Sequence, residues 1–431
     1  MGKWGVGSNV TRYALKARWV VPVDRPAIDG GIVSLSGDRI VAVGRRAVDG
    51  APIRDLGETI LLPGFVNAHT HLEFSDLAGP LGQPRNPFVD WIRLVIAARA
   101  RRDRSSLDAI AAGLAESLRR GVTTLGEITS SVPAADAADR PAPARRLFLE
   151  VFGFSRARTD SAARDAQWRL ANAERTTSVA RPGDYRPIQL GVSPHAPYTV
   201  NLELLDRLVE LARRHRLPVA MHIAEFSDEA RFLAEGTGPM QELLAERSMW
   251  DAAALPPGTR PLDYLARLAA APRVLVVHGN FLADDELTLL AEHAGQMTLI
   301  HCPRTHAFFD HTALPLERAI AIGVKVALGT DSRASNPDLC LLSEMRAVFG
   351  RCPMIAPGEI LRMGTQIAAD ALGVGGTVGT LTPGKMANLV AVSIPQNAAA
   401  VDDPLEALLA GKTPPETVWL RGIEVDPAPP T

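Results

Sequence analysis

Cysteine is scarce in this 431-residue chain: Cys302, Cys340 and Cys352 are the only three, and none is paired as C-x-x-C. A disulfide framework is therefore not expected in a chain of this length. No charge of one sign predominates. Lys and Arg total 46 against 48 Asp and Glu, for a net charge of -2, so no nucleic-acid or membrane partner is expected. No apolar run is long enough to span a bilayer. The start, Met1-Gly2-Lys3-Trp4-Gly5-Val6, lacks the apolar core of a signal peptide. A cytoplasmic location is the expectation. No Gly-x-Gly-x-x-Gly follows the first long strand candidate, which argues against a dinucleotide-binding open sheet. Internal repeats and long low-complexity segments are missing too. What remains is a large apolar core of ordinary composition, enough for one large domain and a smaller one.

Residues 10–62 read as short strands and turns. Strand candidates are 13–21, 30–35 and 39–44, the last two joined as a hairpin by Ser36-Gly37-Asp38. The texture changes at Phe65. Eight apolar runs, 65–72, 122–128, 146–154, 188–194, 218–225, 274–280, 297–302 and 324–330, alternate with amphipathic stretches at 88–118, 160–174, 202–214, 284–294 and 316–322. Strands alternating with helices imply a parallel sheet, and eight such units are the size of a (β/α)8 barrel, the TIM-barrel class of α/β fold. After Asp370 strand patterns return at 389–392 and 418–422. The expected organisation is a barrel over 64–377, flanked by one small β-sandwich built from 1–63 and 378–431.

The chemistry-bearing residues sit where these runs end. The first ends in His69-Thr70-His71, the fourth runs into Ser193-Pro194-His195, and the fifth ends in His222-Ile223-Ala224-Glu225. The sixth ends in His278-Gly279-Asn280, the seventh in His301-Cys302, and the eighth in Gly329-Thr330-Asp331-Ser332. Side chains two apart on a strand point the same way, so His69 and His71 project together. A lone His-x-His is common in polar turns. Six strand-end positions in register at the face where barrels build their sites are hard to explain by packing. His215 and His293 fall on helical patterns and read as surface residues, and His311 carries no assignment.

His69, His71 and His222 are the natural nitrogen ligands and Asp331 the oxygen ligand of one divalent metal, zinc first, with iron or manganese as alternatives. No Lys, Asp or Glu stands at the end of the fourth run to bridge a second ion. A metal with an open position makes hydroxide available near neutral pH. Attack on an electron-poor carbon then needs a base and an acid. Asp331 suits the water proton. Glu225, near the metal but not on it, suits a proton shuttle with a raised pKa. His278 suits the attacking oxygen, with metal ligation as its alternative.

Together these residues resemble the amidohydrolase superfamily. The resemblance rests on Pro63-Gly64-Phe65-Val66-Asn67-Ala68-His69-Thr70-His71, His222-Ile223-Ala224-Glu225, His278-Gly279 and Gly329-Thr330-Asp331-Ser332. Gly384-Lys385-Met386-Ala387-Asn388-Leu389-Val390 looks like that family's return into its sandwich, with Asn388 where Asp is usual. Within the superfamily the chain is similar to the mononuclear deaminase and chlorohydrolase branch. Asp331-Ser332-Arg333-Ala334-Ser335-Asn336 and Arg304-Thr305-His306 look most like its aminodeoxyfutalosine deaminase subgroup, although Thr305-His306 stands where many members have Ser-Asn. The resemblance implies His69, His71, His222 and Asp331 as ligands, Glu225 as shuttle to a ring nitrogen, His278 as the hydroxide-orienting residue and His195 as a substrate contact. It implies hydrolytic deamination of an amino-substituted, purine nucleoside-like heterocycle with release of ammonia. The alternative is hydrolysis of a ring amide or an aryl halide in the same site. A catalytically inactive barrel serving as a binding protein is disfavoured, because every ligand and the shuttle are present. The expected partner is a small molecule, and a homodimer is compatible with the architecture.

Specificity is expected from the loops after the strands. Glu73 follows the His pair in alternation and is expected to face the pocket. Trp91 is expected to cover a substrate ring, whereas Phe88 reads as packing. Arg304 and His306 are expected to meet a substrate carbonyl or carboxylate, and Ser335 joins the same set. Glu127 stands where a pocket hydrogen-bonder would, and Glu150 reads as half of a buried ion pair. Residues 226–244, with Glu229 and Gly236-Thr237-Gly238, read as a rim or lid.

Overall fold

The structure, a computed structural model, describes residues 12–101, 106–130, 141–177, 188–311, 314–394 and 403–425. Its centre is one eight-stranded sheet whose strand order follows the chain. The strands are β1 (Phe65–Thr70), β2 (Val122–Thr129), β3 (Ala144–Val151), β4 (Ile188–Pro194), β5 (Val219–Ile223), β6 (Val274–His278), β7 (Met297–His301) and β8 (Val326–Leu328). Each neighbouring pair runs parallel. The amides of Thr330 and Asp331 both donate to the carbonyl of His69 at 3.1 Å, so the eighth strand returns to the first and the sheet closes. This is the expected barrel. Its strands were legible because both faces are buried, which turns each into a nearly continuous apolar run.

Gly64 sets the entry to β1. A Cβ there would lie 2.4 Å from the Thr123 side chain on β2, so only glycine lets the two strands approach. Its N–H donates to the Asn388 carbonyl at 2.9 Å, while Asn388 Oδ1 accepts from the Arg421 amide at 2.9 Å. Asn388 thus ties the chain's two ends together at the root of the barrel.

Two smaller sheets flank the barrel. One holds Arg39–Gly44, Ile32–Ser36, Arg12–Lys16 and Ile53–Asp55. The other has six strands and sets Leu389–Ser393 antiparallel to Thr59–Pro63, so both ends of the chain share it. Leu15, Leu35, Leu61, Leu389 and Trp419 fill a common core of these sheets.

Two local expectations are corrected. Residues 13–21 do not form one strand: Arg12–Lys16 belongs to the four-stranded sheet and Trp19–Val20 to the six-stranded one. The 88–118 stretch is two helices, Phe88–Ala100 and Ser106–Arg119. The expected rim at 226–244 carries helix Glu229–Glu235 and most of helix Pro239–Glu246. Among the described residues no helix is long and apolar enough to cross a membrane.

Candidate active site

The C-terminal ends of β1, β5 and β6 and the turn after β8 converge on one point. Alternation on β1 brings His69 and His71 to the same side, as read from the sequence. Nε2 of His71 lies 3.3 Å from Nε2 of His222. Nε2 of His69 and of His71 lie 3.7 Å and 3.8 Å from Oδ1 of Asp331. One ring nitrogen from each of His69, His71 and His222 falls within 4.8 Å of the other two.

The hydrogen bonds fit a metal at this point. Neither ring nitrogen of His69, nor Nδ1 of His71, has a protein partner among the described residues. Buried imidazole nitrogens left unmatched are costly unless something else binds them. Nδ1–H of His222 donates to the His195 carbonyl at 2.8 Å, which leaves the Nε2 lone pair aimed at the cluster. Burial pushes the pKa of His222 down to about 4 and that of His71 well below its ordinary value. Both rings are therefore neutral, the ligating form. Burial pushes the Asp331 carboxyl up, but His69 beside it, with His278 and His71, holds it below the usual carboxylate range. Ser335 Oγ donates to Asp331 Oδ2 at 2.8 Å and so fixes the carboxylate. Three imidazoles and one carboxylate suit zinc, iron or manganese. The end of β4 supplies no carboxylate to bridge two ions.

Beside this cluster, Glu225 Oε1 lies 3.3 Å from Nε2 of His278. Burial, then the negative charges of Asp331 and Glu229, push the Glu225 carboxyl well above its ordinary pKa. That shift favours the protonated form, the one able to donate. Its position is set from behind. The Glu229 carboxylate accepts from the amides of Ala224 and Glu225 at 2.9 Å and 3.0 Å, and Asn280 Nδ2 donates to the Glu225 carbonyl at 3.1 Å. Ala224, His278 and Asp331 all adopt left-handed backbone, with φ of 52°, 69° and 55°. Non-glycine residues pay for that conformation, at about 1–3 kcal/mol each. Strain of this kind clustered where strands end is a mark of a built site.

A cavity of about 230 Å³ opens from the cluster. His71, His222, Glu225, His278 and Asp331 line its floor, and His195 its flank. Its far wall is apolar: Phe74, Phe88 and Trp91 on one side, Met240, Leu243 and Leu244 on the other. The rim expected at 226–244 thus reaches the cavity through its second helix. Trp91 is held by its Nε1–H, which donates to the Ala334 carbonyl at 3.0 Å. Phe88 also lines the cavity, stacked on Phe226 at 4.5 Å, so packing is only part of its role.

Other expected substrate contacts are placed elsewhere. Glu73 lies on a short 3-10 turn, Leu72–Phe74, because β1 has already ended, and it pairs with Arg99. It is Arg99 that lines the cavity. Arg304 pairs with Asp338 at 2.6 Å and lies 3.6 Å from the buried Glu344, away from the cavity. His306 is buried against His301 and His311, and His301 itself turns away from the cluster with it. Ser335 touches Asp331 and Thr305 instead of the cavity.

The two strand glutamates exchange roles. Glu127 pairs with Arg145 at 3.3 Å, both fully buried. Glu150 lines the cavity, with Oε1 3.9 Å from Nε2 of His195, and burial raises its pKa to about 7. Sequence reasoning missed the bracing role of Glu229, whose only signal was an acid four residues after Glu225.

The chain belongs to the amidohydrolase family, whose profile matches residues 60–423. A 5-methylthioadenosine/S-adenosylhomocysteine deaminase of Nitratidesulfovibrio vulgaris is 32% identical over 399 residues, 88% of this chain and 83% of that protein. A zinc-bound adenosine deaminase of Xanthomonas campestris superposes with a TM-score of 0.74 at 26% identity, over 96% of this chain and 92% of that one. Helicobacter pylori aminofutalosine deaminase, in complex with methylthio-coformycin, superposes with a TM-score of 0.80 at 21% identity, over 96% of this chain and all of that one, and so shares the fold.

Proposed function

We propose that this amidohydrolase deaminates the adenine-type ring of a purine nucleoside, with water replacing the amino group and ammonia leaving. One observation carries the reading: a buried Glu225, pushed toward its protonated form, stands 3.3 Å from His278, directly beside a three-histidine, one-aspartate cluster. Adding water to a C=N bond needs a proton for the ring nitrogen, a seat for the attacking oxygen and a base for its proton, and these residues supply all three.

His69, His71, His222 and Asp331 would hold one zinc ion. When bound, it lowers the pKa of a water enough for attack near pH 7. Glu225 gives its proton to the ring nitrogen next to the reacting carbon. His278 hydrogen-bonds the attacking oxygen. Asp331, whose carboxylate stays charged, takes the proton the water loses and returns it to the departing amine. As ammonia leaves, the ring nitrogen returns its proton to Glu225, so water and the amino-substituted ring go in, the hydroxyl product and ammonia come out, and both carboxyl groups end as they began. Zinc is supported by the donor set and by the zinc in the 26% identical adenosine deaminase. Two fully buried free cysteines and one partly exposed suit a reducing, cytoplasmic setting.

The test is ammonia release from adenosine, 5′-substituted adenosines, guanine, cytosine and aminotriazines by the zinc-loaded protein. Release from the adenine nucleosides alone supports the reading. Release only from other rings, or hydrolysis of cyclic amides or aryl halides instead, overturns it.

A further inference from the structure

Glu150 is a buried acid in the cavity wall that the mechanism above does not use. It is 3% exposed, and its carboxyl faces the same cavity as the metal cluster. Among the described residues no Lys or Arg pairs with that carboxyl. The three nearby guanidiniums are committed elsewhere: Arg145 to Glu127, Arg99 to Glu73, and Arg169 to the backbone carbonyl of Glu150. A carboxyl buried without a cation or a donor is costly to keep.

Its nearest ionisable neighbours are His222, already turned to the cluster, and His195, which is also an acceptor. Thr199 Oγ1 donates to the Ala196 carbonyl at 3.2 Å, so it accepts from Nδ1–H of His195 at 2.6 Å. That leaves Nε2 of His195 with a lone pair, 3.9 Å from Glu150 Oε1. Once Glu150 is ionised, above about pH 7, two acceptors face one space and take donors from the ligand.

The ligand offers few. Purine ring nitrogens at this face are acceptors. The exocyclic amine sits at the reacting carbon, beside Glu225 and Asp331. The remaining donors of a ribonucleoside are its sugar hydroxyls. A carboxyl with two oxygens matches two neighbouring hydroxyls. We propose that Glu150 is a specificity-determining residue that accepts hydrogen bonds from the 2′- and 3′-hydroxyls of the nucleoside's ribose. This rests on the nucleoside reading given above.

The experiment compares kcat and KM for ammonia release from adenosine, 2′-deoxyadenosine and 3′-deoxyadenosine. It uses the zinc-loaded full-length protein and its Glu150→Gln and Glu150→Ala variants, with zinc content and circular dichroism recorded for each. A hydrogen bond to a charged group corresponds to about 10- to 100-fold in kcat/KM. The wild type is expected to prefer adenosine over either deoxynucleoside by that factor. Glu150→Ala is expected to lose that preference by slowing on adenosine alone, and Glu150→Gln to keep part of it. A wild type that treats ribose and deoxyribose alike overturns the assignment without any variant. So does a folded, zinc-loaded variant whose preference is unchanged, because a merely structural role lowers all three substrates together. Silence of the wild type on every nucleoside overturns the functional reading and this assignment with it. Activity with the ratio unmoved overturns the assignment alone.

Discussion

Glu225 Oε1 and His278 Nε2 lie 3.3 Å apart, both nearly free of solvent, Glu225 just past the end of β5 and His278 the last residue of the adjacent strand β6. Burial favours the uncharged form of each: it raises the acid and lowers the base. A neutral carboxylic acid beside a neutral imidazole is a proton donor paired with a group able to hold an incoming oxygen.

Glu225→Gln keeps the shape and removes the transferable proton. The expected loss in kcat is about 10²- to 10⁴-fold, the usual contribution of general acid–base catalysis. Zinc content, measured by atomic emission, should stay at the wild-type level. A variant that loses zinc would move Glu225 into the ligand set.

His222→Ala should do the opposite. It removes a nitrogen from the cluster and also the Nδ1–H that donates to the His195 carbonyl. The expected result is a folded protein with little bound zinc and no activity. Chelation of the wild type should abolish activity, and added zinc should restore it. Chelation should also lower the thermal midpoint, since a ligand that binds only the folded state stabilises it by mass action.

Arg304→Ala separates a structural cation from a substrate contact. Its guanidinium pairs with Asp338 and lies beside Glu344, which is fully buried. Removing it leaves a buried acid without its cation, a change that costs about 3–5 kcal/mol. Denaturant midpoints should fall accordingly, while KM at a permissive temperature should barely move. A large rise in KM with stability intact would restore Arg304 to the substrate site.

Glu150 gives stability a pH dependence. Its folded-state pKa is raised from 4.5 to about 7, because burial disfavours the charge. Between those values the folded chain holds a proton that the unfolded chain has released. Stability from this group is therefore fully present below about pH 4.5 and lost as pH rises through about 7, by about 3 kcal/mol in all. Glu150→Gln never ionises and escapes the loss. The variant should gain on the wild type in urea midpoint between pH 5 and pH 8. A constant gap across that range would show that Glu150 keeps an ordinary pKa in the fold.

The barrel and its histidine–aspartate cluster were legible in the sequence for the same reason. A strand buried on both faces is an apolar run, and a histidine or aspartate at its end stands out against it. His69, His71, His222 and Asp331 carry that signature and converge. His301 carries it too and turns away, because its pocket lies against Pro303, His306 and Cys352. What was not legible is which way a side chain in mid-strand faces. Glu127 and Glu150 sit in neighbouring strands, where a shift of one residue reverses inside and outside. Partner distance hid the rest. Arg304 meets Asp338 and Glu344, 34 and 40 residues away, across a turn that no local pattern reveals.

In the proposed reaction Glu225 as proton donor and a metal held by three histidines and Asp331 remove ammonia from an adenine-type ring. Ammonia release from adenosine by the zinc-loaded protein, with Glu225→Gln alongside, tests it most directly. Ammonia is expected from the wild type and at least a hundredfold less from the variant, both with one zinc per chain. Equal rates from the two proteins, or no ammonia from a folded wild type carrying its zinc, would contradict it.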